Sequence, residues 1–424
     1  MLKEQKILEL ESLGCFEFFW EEANTDKNSP GYGLIRDRVP GGSEIASIAS
    51  VGFGLTAIVI GVERGWITKK QGFERALGTL NTLYNNVQHV NGFFYHFVSM
   101  KTGKRYERSE VSNIDTAIAV CGAITVGEYF GAEVKERAGQ IYERINWQWF
   151  RDPVRNLFYM GYSDEEGHGG YWDFYAEQMM MYFLGAASPT YPVNPNMFYS
   201  FIRHRASYKN GPAFINSWIG SIFTYQFSHA WFDFRGSIDK AGDDWWENSV
   251  IATKSSRQYC IDECGRFETY GENSWGPTAC DGPFGYSGRY GAPPSGSREM
   301  GSFNGEHNND GTIAPCGAAG SIVFTPEEAV DALNYYHEKL PQLWGKYGFK
   351  DAYNLEVSPA WFGEDYIGID KGITLLMIEN YRTGLVWDIF MRNDYAQTGM
   401  KKSGVIKVYM DTAEEEVAAN IINK

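Results

Sequence analysis

Apolar positions recur every three to four residues over ten stretches of the chain. That spacing predicts helices at 5–22, 43–65, 69–87, 112–130, 132–146, 172–184, 210–227, 244–262, 326–344 and 372–392. The ninth has a readable start: Thr325 offers an N-cap hydroxyl, Pro326 suits a first turn, and Glu327 and Glu328 lie at the positive end of the helix dipole. Strand signals are few and short. Residues 45–62 form an uncharged run of eighteen, long enough to raise a membrane span. Its Ser, Gly and Ala content, with Glu44, Glu63 and Arg64 at its ends, predicts instead a helix buried among other helices.

From 267 to 321 the periodicity stops, and Gly, Pro, Asn and Ser alternate with rings such as Tyr270, Trp275, Phe284, Tyr286 and Tyr290. A long aperiodic stretch inside a compact chain is either functional or disordered, and this density of rings predicts an ordered, functional segment. Helices paired through loops are the pattern of an α/α toroid, an all-α architecture that gathers its loops at one end, where they form a cleft. Length alone leaves open about three average domains or one such toroid. The toroid reading takes residues 1–424 as a single domain.

Composition narrows the partners. Aromatic residues reach 16% and the formal net charge is −15. An acidic surface repels phosphate backbones, which excludes nucleic acid, whereas a neutral sugar is indifferent to net charge and stacks on exposed rings. With 43% hydrophobic and 21% charged residues, the chain can bury a large core and is not disordered. Six scattered cysteines read as free thiols, and Cys260 and Cys264 lack the CxxC or Cys/His company of a zinc site, so no metal or cofactor is expected. The first 21 residues show no basic start, apolar run or small-residue cleavage site, which predicts a cytoplasmic protein not bound to membrane; a processed exported form would look the same. Nothing in the residues specifies an oligomeric state.

Four settings place carboxylates away from charged faces. Asp115 opens an otherwise apolar helix, either as a capping residue or facing a cleft. Glu177 lies among Trp172, Phe174, Tyr175 and Met179, where burial would raise its pKa toward that of a general acid; the bland alternative is a first-turn glutamate. Glu272, Asn273, Trp275 and Asp281 combine acids, an amide and a ring in the aperiodic segment, the mixture that sugar sites use. Asp365 and Asp370 sit among aromatic and Gly residues just before a helix. Turn or cap formation accounts for these last two groups as well as catalysis does. His96, inside Phe93-Phe94-Tyr95-His96-Phe97, is either a satisfied core histidine or a site residue. The chain has no P-loop, HExxH or GxSxG motif, so nucleotide hydrolysis, zinc proteolysis and α/β-hydrolase chemistry lose support. Paired acids beside rings suit glycoside hydrolysis, which needs a proton donor and a second carboxylate.

Seven motifs, in order along nearly the whole chain, resemble the bacterial glucoamylase-like family that includes the endo-β-1,2-glucanases of glycoside hydrolase family 144. They are GLIRDR at 33–38, GVERGWI at 61–67, SNIDTA at 112–117, YGENSWG at 270–276, DGTIAP at 310–315, DYIGID at 365–370 and MIENYRTG at 377–384. The resemblance implies an (α/α)6 toroid, with the loop-rich segment over its cleft, that hydrolyses β-1,2-glucan or its oligosaccharides, with inversion. It implies Glu177 as proton donor, Asp115 as an essential acid, and Asp365 or Asp370 as base with Glu272 in reserve. Arg38, His96, Trp172, Trp275 and Tyr366 would contact sugar, with Glu272, Asn273 and Asp281 beside them. One motif departs: the family's Thr-Ala-Ser-Asp-Gly stands here as Thr278-Ala279-Cys280-Asp281-Gly282. Two other readings remain at this stage: a retaining hydrolase or transglycosylase with Glu272 as nucleophile, and a sugar-binding protein without catalysis.

Overall fold

The computed structural model describes residues 3–303 and 305–408. Among the described residues, twelve α-helices follow one another: α1 (Lys3–Glu21), α2 (Ile48–Glu63), α3 (Lys69–Asn85), α4 (Asn113–Phe130), α5 (Ala132–Glu143), α6 (Met179–Ala187), α7 (Trp245–Asp262), α8 (Pro315–Ala319), α9 (Pro326–Lys339), α10 (Gly368–Thr383), α11 (Leu385–Phe390) and α12 (Asp394–Lys402). No described helix is both long and apolar enough to cross a membrane, and the uncharged run at 45–62 becomes the buried α2 that its flanking charges predict.

The helices sort into two sets by burial. α2, α4 and α6 are buried around their whole circumference, from Ile48 to Gly61 in α2 and throughout α6. α3, α5 and α9 bury one stripe each, Ala76 and Leu80 in α3 for example, and leave the opposite face to water. The all-buried helices touch in sequence: α2 packs on α4, α4 on α6, α8 on α10, and α10 back on α2. Between α6 and α8 the chain supplies two 3₁₀ turns, Ile222–Tyr225 and Phe227–Ala230. The Met180 N–H donates to Ser228 Oγ at 3.2 Å, and Gln226 Nε2 donates to the Gly317 carbonyl at 2.9 Å, which ties these turns to both neighbours. The half-buried helices lie against this set: α1 on α2 and α10, α3 on α2, α5 on α4, α9 on α8, and α12 on α6. α2 and α4 approach closely because glycines face each other. A Cβ placed on Gly122 would lie 2.0 Å from the Gly52 carbonyl oxygen, so no larger residue fits there without parting the helices.

Two expected helices are corrected. The stretch 210–227 is not helical: Ala213–Ile215 pairs with Arg205–Ser207, and the 3₁₀ turns follow. Asn248 donates to the Ile215 carbonyl and accepts its N–H, which holds this segment extended, and Gly220 at φ +75° turns the chain afterwards. The helix expected at 172–184 begins only at Met179. The Gln178 side chain takes the Ala176 N–H and donates to the Phe174 carbonyl, so it satisfies groups that a preceding helical turn would otherwise use.

Short strands, more numerous than the sequence signalled, join the helices and aim the chain at one end. Arg38–Val39 pairs with Tyr366–Ile367, and Ile45–Ser47 pairs with Phe97–Ser99. The longest hairpin joins Leu157–Ser163 to Gly167–Tyr171. These pairings set the entrances of α2 and α10, and the segments before them, side by side.

Candidate active site

The expected carboxylates gather at the N-terminal ends of the buried helices. Asp115 is the third residue of α4, Asp370 the third of α10, and Glu177 stands two residues ahead of α6. Ser47 and Ser112 cap α2 and α4 from the same end. Helix N-termini carry partial positive charge, which favours carboxylates there. A cavity of about 370 Å³ opens among these ends. Its wall includes Asp37, Arg38, His96, Asp115, Tyr286 and Asp370, with Phe97, Phe223 and Phe227 as apolar surface.

On one side, Asp115 accepts a short hydrogen bond from the Ser112 hydroxyl and lies 3.5 Å from His96 Nε2. His96 Nδ1 lies 2.9 Å from Glu110 Oε1. Burial alone would strip the imidazole of its proton, but Asp115, Glu110 and Asp37 outweigh it and hold the pKa at about 9, so His96 is a cation at neutral pH. Its ring also stacks on Phe97, with centroids 3.8 Å apart. Thus the polar residue inside an aromatic run lines the cavity with its side chain partly exposed.

Glu177 has the opposite surroundings. Among the described residues it forms no ion pair; its backbone carbonyl accepts the Ser228 hydroxyl at 2.7 Å. Dense packing raises its pKa to about 7, its own backbone N–H opposes the rise, and the charge of Asp115 adds to it. A carboxyl poised there keeps a proton to give at neutral pH. Tyr286 lines the cavity with much of its side chain exposed, near enough to feel the charges of Asp370 and Glu177.

The other side is built around Arg38, whose guanidinium lies 2.8 Å from Asp281, 3.2 Å from Asp365 and 3.3 Å from Asp37. Burial disfavours the cation, but Asp281 and Asp37 more than compensate and push its pKa up. Burial raises the Asp37 pKa although Arg38 opposes it. Asp365 accepts the Gly41 N–H at 2.8 Å with its second oxygen, so both its oxygens are occupied. Asp370 faces Asp351, and burial raises both acids above the usual aspartate range. Cys280, at the position of the departing motif, lines the cavity, and burial keeps its thiol neutral.

Several expected sugar contacts lie elsewhere. Trp275 is completely buried, with its N–H 3.3 Å from the Tyr336 hydroxyl; it pins the aperiodic segment from beneath. Trp172 is 6% exposed, and its indole N–H donates to Asn113 Oδ1 at 3.1 Å. Tyr366 is buried edge-on against Tyr347, with centroids 5.3 Å apart. All three join the core, where a ring removes more apolar area from water than it would at the cavity wall. Glu272 is exposed and lies 3.4 Å from Arg257, and Asn273 is half-buried; neither lines the cavity. Sequence reading passed over Asp37, Asp351 and Ser47. Asp37 lies within the GLIRDR motif, which was its available signal. Asp351 had none beyond its aromatic neighbours Phe349 and Tyr353.

Comparison with known proteins shows which family the chain resembles along its length. A family model described as "Putative glucoamylase" matches residues 170–394. A curated relative from Parabacteroides distasonis, an exo β-1,2-glucooligosaccharide sophorohydrolase acting at the non-reducing end, is 28% identical over 96% of this chain and 59% of its own length. The chain therefore spans about three fifths of that relative. A glucoamylase-type crystal structure from Bacteroides uniformis superposes with a TM-score of 0.84 at 30% identity, covering 97% of this chain and 100% of that one. The endo-β-1,2-glucanase of Chitinophaga pinensis, solved with sophorotriose and glucose, gives 0.84 at 26% identity over 96% of this chain and 99% of that one. With more than half its length matched by the family model and nearly all of it superposing on these structures, the chain belongs to the glucoamylase-like family.

Proposed function

We propose that the protein is an (α/α)6 toroid, the two 3₁₀ turns standing as the fourth inner element, that hydrolyses β-1,2-linked glucan or its oligosaccharides with inversion at the anomeric carbon. The observation that carries the reading is Glu177, a carboxyl without an ion-pair partner among the described residues, held protonated near neutral pH and within reach of the charge of Asp115 on the cavity wall. The activities of the Parabacteroides and Chitinophaga relatives support the β-1,2 linkage.

In this reading Glu177 gives its proton to the glycosidic oxygen as the bond to the anomeric carbon breaks. A water attacks the opposite face of the sugar, and Asp370 takes its proton. Asp370 suits that role better than Asp365, because it lines the cavity and has no cation on it among the described residues, whereas Asp365 is ion-paired with Arg38 and does not line the cavity. Burial keeps Glu177 protonated and the nearby Asp115 adds to this, while Asp115, 3.5 Å from His96, helps to present the imidazolium to sugar hydroxyls. Phe97, Phe223 and Phe227 supply apolar surface for a sugar face. The exposed Glu272, paired with Arg257, gives the retaining reading no support.

The test is a panel of β-1,2-, β-1,3-, β-1,4- and α-1,4-glucans and their oligomers, with product lengths resolved over time. Release of short fragments from the β-1,2 series alone is the expected result. Equal turnover of another linkage, or no new reducing ends from any, would reject the assignment.

A further inference from the structure

Beneath the cavity floor, Asp351 lies beside Asp370. Asp351 is 3% exposed, and its Oδ2 accepts the Asp281 N–H at 2.8 Å. Its Oδ1 is buried and finds no hydrogen-bond donor among the described residues. The Asp370 carboxyl neighbours Asp351, and the two acids border one small void. Two ionised carboxylates cannot satisfy each other: neither has a proton to donate, and their charges repel. One proton resolves both faults, because it turns the contact into a strong O–H···O⁻ hydrogen bond and removes one charge.

We propose that Asp351 and Asp370 form a dyad with one shared proton, in which Asp351 is the neutral partner and the positioning residue that fixes the Asp370 carboxylate for its work on water. This deepens the role given to Asp370 above and rests on it. The other groups facing the dyad leave the proton there. Lys371, next to Asp370 on α10, has its ammonium on Glu11 of α1 at 2.8 Å. Asp281 is engaged with Arg38, and Cys316 of α8 and Cys280 of the loop are neutral buried thiols. Tyr286 is a neutral phenol on the cavity side. Burial raises Asp351 well above the aspartate range, with the Asp370 charge adding to it, whereas the hydrogen bonds that Asp370 receives from Asp351 and Cys316 hold it lower. With Oδ2 of Asp351 taken by the Asp281 N–H and its buried Oδ1 left without a donor among the described residues, Oδ1 is the oxygen the geometry leaves for the shared proton. Both acids also border an enclosed void of about 10 Å³ with Glu11, Lys371 and Thr374, about the room of one water. In turnover Asp370 takes the proton of the attacking water while Asp351 keeps its own. Solvent then removes the extra proton from the dyad, and another returns to Glu177.

The test uses the full chain with Asp351→Asn, which keeps shape and a donor but cannot ionise, and Asp351→Leu, which removes the donor. Infrared spectra at pH 7 with carboxyl-labelled aspartate should show a protonated-carboxyl band in the parent protein that Asp351→Asn abolishes. Asp351→Asn should lower kcat less than tenfold and move the acid limb of its pH profile upward, because an amide stabilises Asp370 as an anion less well than a carboxylic acid. Asp351→Leu should lose about a hundredfold in kcat with little change in KM. An infrared band that survives Asp351→Asn, or an unchanged pH profile, overturns the dyad. The spectrum does not depend on turnover, so a band lost on substitution in a protein indifferent to Asp370→Asn would keep the dyad and reject Asp370 as base.

Discussion

Glu177, at the entrance of α6, carries its carboxyl without a cation in ion-pair reach, whereas Asp37, Asp281 and Asp365 converge on one guanidinium, that of Arg38. Asp37 and Arg38 line the cavity, Asp281 and Asp365 reach it through Arg38, and all four acids are in partly buried positions. What separates them is the partner. A cation beside a carboxylate stabilises its charge and fixes its geometry, which suits a scaffold or a sugar-binding wall. Burial without a cation makes the charge costly and leaves the proton in place, which suits a donor. The Asp351 and Asp370 pair is an intermediate case, in which one acid serves as the other's partner.

The largest effect that would break this contrast is at Asp370. Asp370→Asn should reduce kcat by about 10²–10⁴-fold, the usual contribution of a general base, in an assay of reducing ends at saturating oligosaccharide. A loss under tenfold would move the base elsewhere. Arg38→Met should come next: it strands three carboxylates at once and should destabilise the fold by about 2–4 kcal/mol at neutral pH, somewhat below the range for fully buried pairs because Arg38 is partly solvated. Urea unfolding checks this, and unchanged stability would make the Arg38 cluster incidental.

A smaller effect of the opposite sign belongs to Glu177. The folded protein holds this proton up to about pH 7, whereas an unfolded glutamate releases it near 4.3. The stability from this group is therefore full below about pH 4.3 and is lost as the pH rises through about 7. Glu177→Gln has no charge to bury and should be more stable than the parent by about 1–3 kcal/mol at pH 8. Equal stability at that pH would remove the account of the raised pKa. The smallest effect is at Glu272, where Glu272→Gln should change turnover by less than about twofold, as surface substitutions usually do. A large loss there would revive the retaining mechanism.

How much was legible in the sequence follows from the same contrast. The long helices were readable because burial imposes a period: α2 and α4 appear where apolar spacing puts them, while the helix expected at 372–392 starts earlier and divides at the left-handed Gly384 into α10 and α11. Glu177 and Asp115 were readable because a carboxyl in apolar surroundings stands out. The rings were not. Trp275, Trp172 and Tyr366 have the composition of a sugar platform, yet a ring beside a cleft and a ring in the core share the same residue type, and only the path of the backbone separates them. Asp351 and the pairing of Arg38 with Asp281 were hidden for a different reason. The partners are 19 and 243 positions from Asp370 and Arg38 respectively, and nothing local marks a long-range contact. The expected helix at 210–227 failed because Asn248, on another element, claims its backbone groups.

The central claim is that Glu177 supplies the proton on which cleavage depends. The direct measurement compares parent and Glu177→Gln protein on one β-1,2-gluco-oligosaccharide, with binding by calorimetry and turnover by product release in the same preparation. Binding within a few-fold of the parent, with turnover reduced at least about a hundredfold, is the predicted result. Turnover close to that of the parent would contradict it.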